Sequence, residues 1–280
     1  MIQMNSKTVL HGVIGDPIAH SKSPLMMNRA FRELGLNSAY GAFHVTSEQL
    51  PAALAGVRAL RMRGLNVTIP HKEAVIPLLD ELDESAQMIG AVNTIVNDNG
   101  TLRGYNTDGI GYVRSLEEET GIDLAGKTVA VIGAGGAARA ILYAFAKRNV
   151  KKIWIVNRTV ARAEQLAQHF SAMCDVGVLQ TEALSIYGAS LDLLVNTTSV
   201  GMSPDVEQCP LNDFHWIDEN IIISDLIYNP RVTTLLRMAA ERGAKTHGGL
   251  GMLVYQGACA FEYWTGLQAP VQSMWQAVTE

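Results

Sequence analysis

The chain reads as an α/β protein: an N-terminal α/β domain, then a doubly wound parallel sheet, then helices that return to the first domain. Three observations predict this. Near the midpoint an apolar strand, Val129-Ala130-Val131-Ile132, runs into Gly133-Ala134-Gly135-Gly136-Ala137, and Ala138-Arg139-Ala140-Ile141-Leu142 continues as a helix. From there to about residue 247 apolar runs alternate with helical stretches, the pattern of a parallel sheet covered on both faces. More than a hundred residues precede the glycine turn and carry a second strand–helix pattern. The expected domains are 1–110, 111–247 and a C-terminal helical segment, 248–280.

In chain order, residues 9–14 read as a strand and 24–33 as a helix. Residues 39–45 form the next strand and 47–62 the next helix, with Ser47 as its cap. A third strand covers 65–69, after which Pro70 suits a first helical turn. Strands at 92–96 and 102–105 flank Asp98-Asn99-Gly100, a hairpin turn signal. A helix over 109–119 leads to Thr120-Gly121-Ile122-Asp123, read as the hinge into the second domain. Beyond the midpoint strand come strands at 152–156, 176–179, 191–195, 221–224 and 244–246. The helices between them include 160–170 and 231–242, and an apolar helix covers 250–265.

Strand, glycine turn and helix start together form the receptacle of a dinucleotide pyrophosphate. Glycines let backbone N–H groups approach the phosphates, and the helix N-terminus adds partial positive charge. The bland alternative is an ordinary tight βα turn. The next strand, Lys152-Ile153-Trp154-Ile155-Val156, ends at Asn157-Arg158-Thr159, with Arg162 one helical turn on. A carboxylate here would accept from a ribose 2′-hydroxyl, whereas a guanidinium suits a 2′-phosphate. Arginine at a helix N-terminus opposes the helix dipole, which favours a functional role over two solvated side chains. The sequence therefore points to a Rossmann-type domain that binds NADP.

Composition narrows the class. The 280 residues suffice for two ordinary cores, and the formal charge of −5, with no basic run, argues against nucleic acid and anionic membranes as partners. Cys174, Cys209 and Cys259 lack paired spacing, as expected of free thiols in a reducing cytoplasm. Residues 1–7 show no signal-peptide pattern, no apolar stretch reaches spanning length, and the seven histidines lack ligand spacing, so no metal is expected.

Four polar segments sit where loops leave the N-terminal strands: 15–24, 66–72, 90–94 and 104–109. Hydroxyls and carboxamides that donate and accept, with one cation, suit a polyol or carboxylate substrate. The alternation in Asn66-Val67-Thr68 sends Asn66 and Thr68 to one face. Each piece also has a plain reading: Ser21 and Ser23 as helix caps, Thr68 as a strand residue, Asn106 or Asp108 as a cap, Lys72 as a solvated lysine.

Together these segments resemble the shikimate dehydrogenase family over essentially the whole chain. The resemblance runs from Ser21-Lys22-Ser23-Pro24 through 66–72, 90–95, 105–109, 133–137 and 157–162. It continues in Asn196-Thr197-Thr198-Ser199-Val200-Gly201-Met202, in 225–230 and in 249–256. It implies NADPH-dependent reduction of 3-dehydroshikimate to shikimate, toward the aromatic amino acids. By that resemblance Ser21 and Ser23 hold the substrate carboxylate and Tyr228 closes over it. Thr68, Asn93, Asp108 and Gln256 bind ring hydroxyls, Asn66 supports that loop, and Lys72 paired with Asp108 is the acid/base group. Gly133, Ala134, Gly135, Gly136, Ala137, Asn157, Arg158, Thr159 and Arg162 hold NADP, approached by Glu84, Thr197, Leu226, Gly249 and Met252. His71 stands where many relatives carry an aromatic residue and reads as packing beside Lys72. Family members are monomers or homodimers.

The chemistry is consistent: hydride addition to a ketone leaves an alkoxide, which needs a positioned cation and a proton. Close Lys–Asp pairs titrate jointly, so sequence leaves open which of the two carries the transferred proton. A quinate/shikimate dehydrogenase with broader substrate or NAD use is the nearest alternative; such relatives tend to alter the Ser-x-Ser pair or place an acid after the second strand. A reductase of another small polyhydroxy acid is a further enzyme reading. A silent NADP-binding regulator is the non-enzyme alternative, and it would be expected to lose Lys72 or Asp108 first. Arg158→Asp is expected to weaken NADPH binding far more than NADH binding in a titration of each; equal losses would remove the 2′-phosphate role.

Overall fold

A computed structural model describes residues 4–280; the first three residues of the N-terminal stretch read above lie outside the described residues. The chain divides into two compact units, one of residues 1–111 and 254–280, the other of residues 112–253.

The first unit begins with β1 (Val9–Gly15), α1 (Ser23–Glu33), β2 (Ser38–His44), α2 (Leu50–Ala59) and β3 (Gly64–Val67). It continues with α3 (His71–Ala74), β4 (Glu81–Leu82), α4 (Glu84–Ile89), β5 (Thr94–Asp98) and β6 (Thr101–Tyr105), then enters α5 (Asp108–Thr120). Its sheet has the order β2-β1-β3-β5-β6-β4. β1 runs parallel to β2 and β3, while β5 is antiparallel to both β3 and β6. Asn99 and Gly100 both take positive φ, 52° and 100°, as a two-residue hairpin turn requires. This mixture puts the ends of β1, β3 and β6 and the start of β5 on one sheet edge. Every polar segment singled out in the N-terminal sequence therefore emerges there. Ile14, Leu65, Val67, Ile95 and Leu102 fill a core shared with Leu54 and Val57 of α2.

Local chemistry moved several boundaries. The expected helix over 47–62 starts as a single 3-10 turn, and its entry is set by Thr46 and not Ser47: the Gln49 side chain accepts from the Thr46 N–H at 3.3 Å. The third strand stops at Val67 because Thr68 begins a turn, its carbonyl accepting from the His71 N–H at 2.9 Å. The strand expected over 92–96 is displaced to Thr94–Asp98 because Val92 N–H is drawn to the Lys72 carbonyl, 2.8 Å away.

The second unit contains β7 (Thr128–Ile132), α6 (Gly136–Lys147), β8 (Lys152–Val156), α7 (Val160–Phe170), β9 (Val176–Leu179) and α8 (Leu184–Tyr187). There follow β10 (Leu193–Asn196), β11 (Ile222–Asp225), α9 (Thr234–Glu241) and β12 (Lys245–His247). The sheet is wholly parallel in the order β12-β11-β10-β7-β8-β9, so the strand order reverses between β7 and β10. This is the doubly wound arrangement whose ligand crevice lies at the carboxyl ends of the strands beside the reversal. The turn at 120–123 lies inside this unit: Tyr112 already donates to Ser224 Oγ at 3.0 Å.

The chain leaves this unit along α10 (Leu250–Thr265) and ends in α11 (Val271–Thr279). Within the first unit Trp264 of α10 donates to the Ile95 carbonyl at 2.9 Å, and Lys22 Nζ donates to the Val278 carbonyl of α11 at 2.9 Å. Among the described residues no helix is long and apolar enough to cross a membrane.

His11 on β1 is 3% exposed, with its ring 4.8 Å from that of Phe31 and 5.1 Å from that of Trp264. Desolvation lowers its pKa from 6.5 to about 4. The neutral ring belongs to the folded state, and the unfolded chain takes the proton first. Its contribution is therefore complete above pH 6.5 and is lost as pH falls toward 4. Between pH 8 and 5 the protein should lose about 2 kcal/mol more stability than His11→Leu in urea unfolding; parallel losses would contradict a neutral buried His11.

Candidate active site

The first unit's sheet edge carries a continuous polar network. Lys72, in the single turn after β3, places Nζ 2.6 Å from Asp108 Oδ2 at the start of α5. Their side chains are 30% and 12% exposed, so the pair is shielded yet reachable. Asn93 Nδ2 donates to the other Asp108 oxygen at 2.8 Å and points toward Gln256 Oε1 at 3.4 Å. Asn93 Oδ1 accepts from the Thr107 N–H at 2.8 Å and from the Thr94 hydroxyl at 3.1 Å. The carboxamide is thereby locked in one orientation, with its donor end on the carboxylate.

Asn66 extends the network downward. It donates to the Asn93 carbonyl and to Thr94 Oγ1, both at 3.1 Å, and accepts from the Tyr40 hydroxyl at 2.7 Å. Burial pushes the Tyr40 phenol well above its ordinary pKa, so it acts as a fixed donor. Tyr40, Thr94 and Thr107 were not picked out in the sequence. Tyr40 left a signal, since the alternation of β2 turns it inward, and a buried phenol needs a partner. Ser23 opens α1 and is buried; Ser21 is half-buried and its Oγ accepts from the Ser23 N–H at 3.3 Å. Thr68 is half-buried at the end of the β3 loop, tied by its N–H to the Ile14 carbonyl at 3.0 Å.

Gln256 reaches this network through close helix packing. Gly111, one turn after Asp108, lies against the Gln256 backbone so tightly that any Cβ there would collide with it. His71 is fully buried, with Nε2 2.6 Å from the Val45 carbonyl, as a packing position would have it.

The second unit offers a different kind of site. Gly133 takes φ +113°, and a Cβ on it would overlap the Thr197 hydroxyl, so only glycine fits between β7 and β10. α6 then starts at Gly136 with no side chain capping it; Gly135 and Gly136 are exposed, and a Cβ on Gly135 would stand in open space. Unclaimed N–H groups at the head of this helix fit a pyrophosphate. At the end of β8, Asn157 Nδ2 donates to the Thr159 carbonyl at 2.8 Å. Arg158 and Arg162 are exposed, and neither is ion-paired among the described residues. Uncommitted guanidiniums fit a 2′-phosphate and leave no acceptor for a bare ribose diol.

Thr197, Leu226 and Gly249 follow β10, β11 and β12 at the same carboxyl edge, and Met252 lies in the first turn of α10. Two expected contacts fall in the unit opposite to the rest of their set. Glu84, assigned to the cofactor, is an exposed residue opening α4 in the first unit; Tyr228, assigned to the substrate, is 40% exposed after β11 in the second.

Three family profiles match in order: the shikimate dehydrogenase substrate binding domain over residues 13–95, shikimate/quinate 5-dehydrogenase over 115–208, and the shikimate 5′-dehydrogenase C-terminal domain over 249–279. The NADP(+) shikimate dehydrogenase of Geobacillus sp. strain WCH70 is 51% identical over 271 residues, 97% of this chain and 98% of the relative. The chain belongs to the shikimate dehydrogenase family. Among solved members, the Listeria monocytogenes shikimate 5-dehydrogenase with shikimate and NAD superimposes with a TM-score of 0.93 at 39% identity, covering 99% of this chain and 98% of that one. The Thermus thermophilus family member with NADP(H) and shikimate gives 0.88 at 39% identity, covering 97% and 98%. Shikimate dehydrogenases thus share both halves of this architecture.

Proposed function

We propose that the chain catalyses the NADPH-dependent, reversible reduction of 3-dehydroshikimate to shikimate, as a cytoplasmic step toward the aromatic amino acids. The observation that carries this reading is the Lys72–Asp108 pair, 2.6 Å apart in a frame of carboxamides and hydroxyls. The family membership and the NADP(+) names of relatives near 50% identity support it.

NADPH, when bound, supplies the hydride. Gly133, Ala134, Gly135, Gly136 and Ala137 hold its pyrophosphate, and Asn157, Arg158, Thr159 and Arg162 its 2′-phosphoribose end. Glu84, Thr197, Leu226, Gly249 and Met252 complete the cofactor's contacts. Ser21, Ser23 and Tyr228 bind the substrate carboxylate, and Thr68, Asn93, Asp108 and Gln256 its hydroxyls, with Asn66 bracing Asn93. The Lys72 ammonium donates to the ketone oxygen, stabilises the charge that develops there and is the immediate source of its proton. Asp108, 2.6 Å from the Lys72 nitrogen, aims the ammonium. In the reverse direction the same nitrogen takes the proton from the hydroxyl. Ser21 and Ser23 together with Arg158 favour this assignment over quinate or NAD use.

The test is NADPH absorbance with the purified protein over a panel of shikimate, quinate and other polyhydroxy acids, each with NADP+ and NAD+. Shikimate with NADP+ should give the highest kcat/KM, and Lys72→Ala should lower kcat by about two orders of magnitude or more with a modest change in KM. Preference for another acid, or near-normal turnover by the variant, would overturn the reading.

A further inference from the structure

The second unit buries a carboxylate that the proposed mechanism does not use. Asp225 ends β11, is fully buried, and has no cationic partner among the described residues. Neutral donors alone satisfy it. Oδ1 accepts from Asn196 Nδ2 and from the Ile227 N–H, each at 3.1 Å, and Oδ2 accepts from the Thr233 hydroxyl at 2.8 Å. A lone buried charge is costly, and evolution of a stable core alone would favour an apolar residue here.

The three donors lie on segments that carry the proposed ligand contacts. Asn196 is the register partner of Asp225 on β10, and its own Oδ1 accepts from both the N–H and the hydroxyl of Thr198, at 3.0 and 2.7 Å. That fixes the turn containing Thr197. Ile227 sits between Leu226 and Tyr228, and its carbonyl accepts from the Gly249 N–H at 3.2 Å. Thr233 closes the Tyr228 loop and caps α9 by accepting from the Leu236 N–H at 3.4 Å.

We propose that Asp225 is a positioning residue for the reaction: its carboxylate clamps the Thr197 turn and the 226–233 loop, so that Tyr228 is held ready for the substrate carboxylate. The proposal rests on the function given above. Its ionisation is also placed to matter. Desolvation raises the carboxyl from its ordinary value to about 6. The titratable groups facing it are the Tyr112 phenol on α5 and the Cys209 thiol, both pushed up by burial and neutral in this range. Arg237, which acts on Cys209, is an exposed surface cation paired with Glu241. Above pH 6 the carboxylate accepts from all three donors; below it, the added proton occupies one acceptor position and the clamp loosens.

The test uses Asp225→Asn, which keeps shape and one acceptor oxygen but neither charge nor titration. Hydrogen exchange of free protein is read first, because it needs no substrate: the Ile227 and Thr198 amides should exchange about tenfold faster than in the wild type, the equivalent of one weakened hydrogen bond. Unchanged exchange overturns the clamp whatever the protein's substrate proves to be. In turnover, the variant should raise shikimate KM severalfold with kcat little changed, and the wild-type rise in KM between pH 7 and 5.5 should vanish. A wild-type KM and an unchanged acid limb overturn the positioning role. Thr233→Ser should behave as wild type and Thr233→Val like Asp225→Asn; if Ser fails as Val does, the hydroxyl bridge is not the cause. Absence of wild-type turnover with shikimate contradicts the proposed function, and the exchange result still judges the clamp.

Discussion

The first unit's site depends on one constraint: both oxygens of the Asp108 side chain must find partners in a place where water reaches them poorly. Two donors make that possible, Lys72 on one oxygen and Asn93 on the other. Each donor is itself fixed. Asn93 is oriented by Thr107 and Thr94, and its backbone is braced by Asn66, which Tyr40 holds in turn. Partly satisfied buried networks are costly, so loss of one member strands the others. The same geometry leaves the Lys72 side chain 30% exposed beside the carboxylate that holds it.

The two units offer different kinds of surface at comparable places. Both present loops at the carboxyl ends of parallel strands. The first builds its surface from side chains, which suits a small polyol whose hydroxyls are matched one by one. The second leaves backbone exposed at Gly135 and Gly136 and a helix start uncapped, because a pyrophosphate is bound best by N–H groups. Asp225 and Asp108 show the contrast in miniature: one is held by neutral donors alone, the other is paired with a cation.

Much of this was legible in the chain. Period and apolar runs revealed the second unit's sheet, since buried parallel strands are apolar throughout; the helices Val160–Phe170 and Leu250–Thr265 were placed to the residue. The Lys72, Asn93 and Asp108 segments stood out because polar residues cluster at strand ends. What escaped were features fixed by tertiary contact. β4 is two residues long and exists only by pairing with Arg103 and Gly104. Thr46 displaced Ser47 because adjacent hydroxyls compete for one cap. Tyr40, Thr107 and Asp225 look ordinary in sequence, and only burial makes their hydrogen bonds compulsory.

Whether Lys72 and Asp108 act as one unit is tested most directly by a double-mutant cycle on kcat. Lys72→Ala, Asp108→Ala and the double variant are compared with the wild type in shikimate oxidation by NADP+. If Asp108 works on the chemical step through Lys72, the double variant will be no slower than Lys72→Ala alone. Losses that multiply independently would show that the two residues act separately.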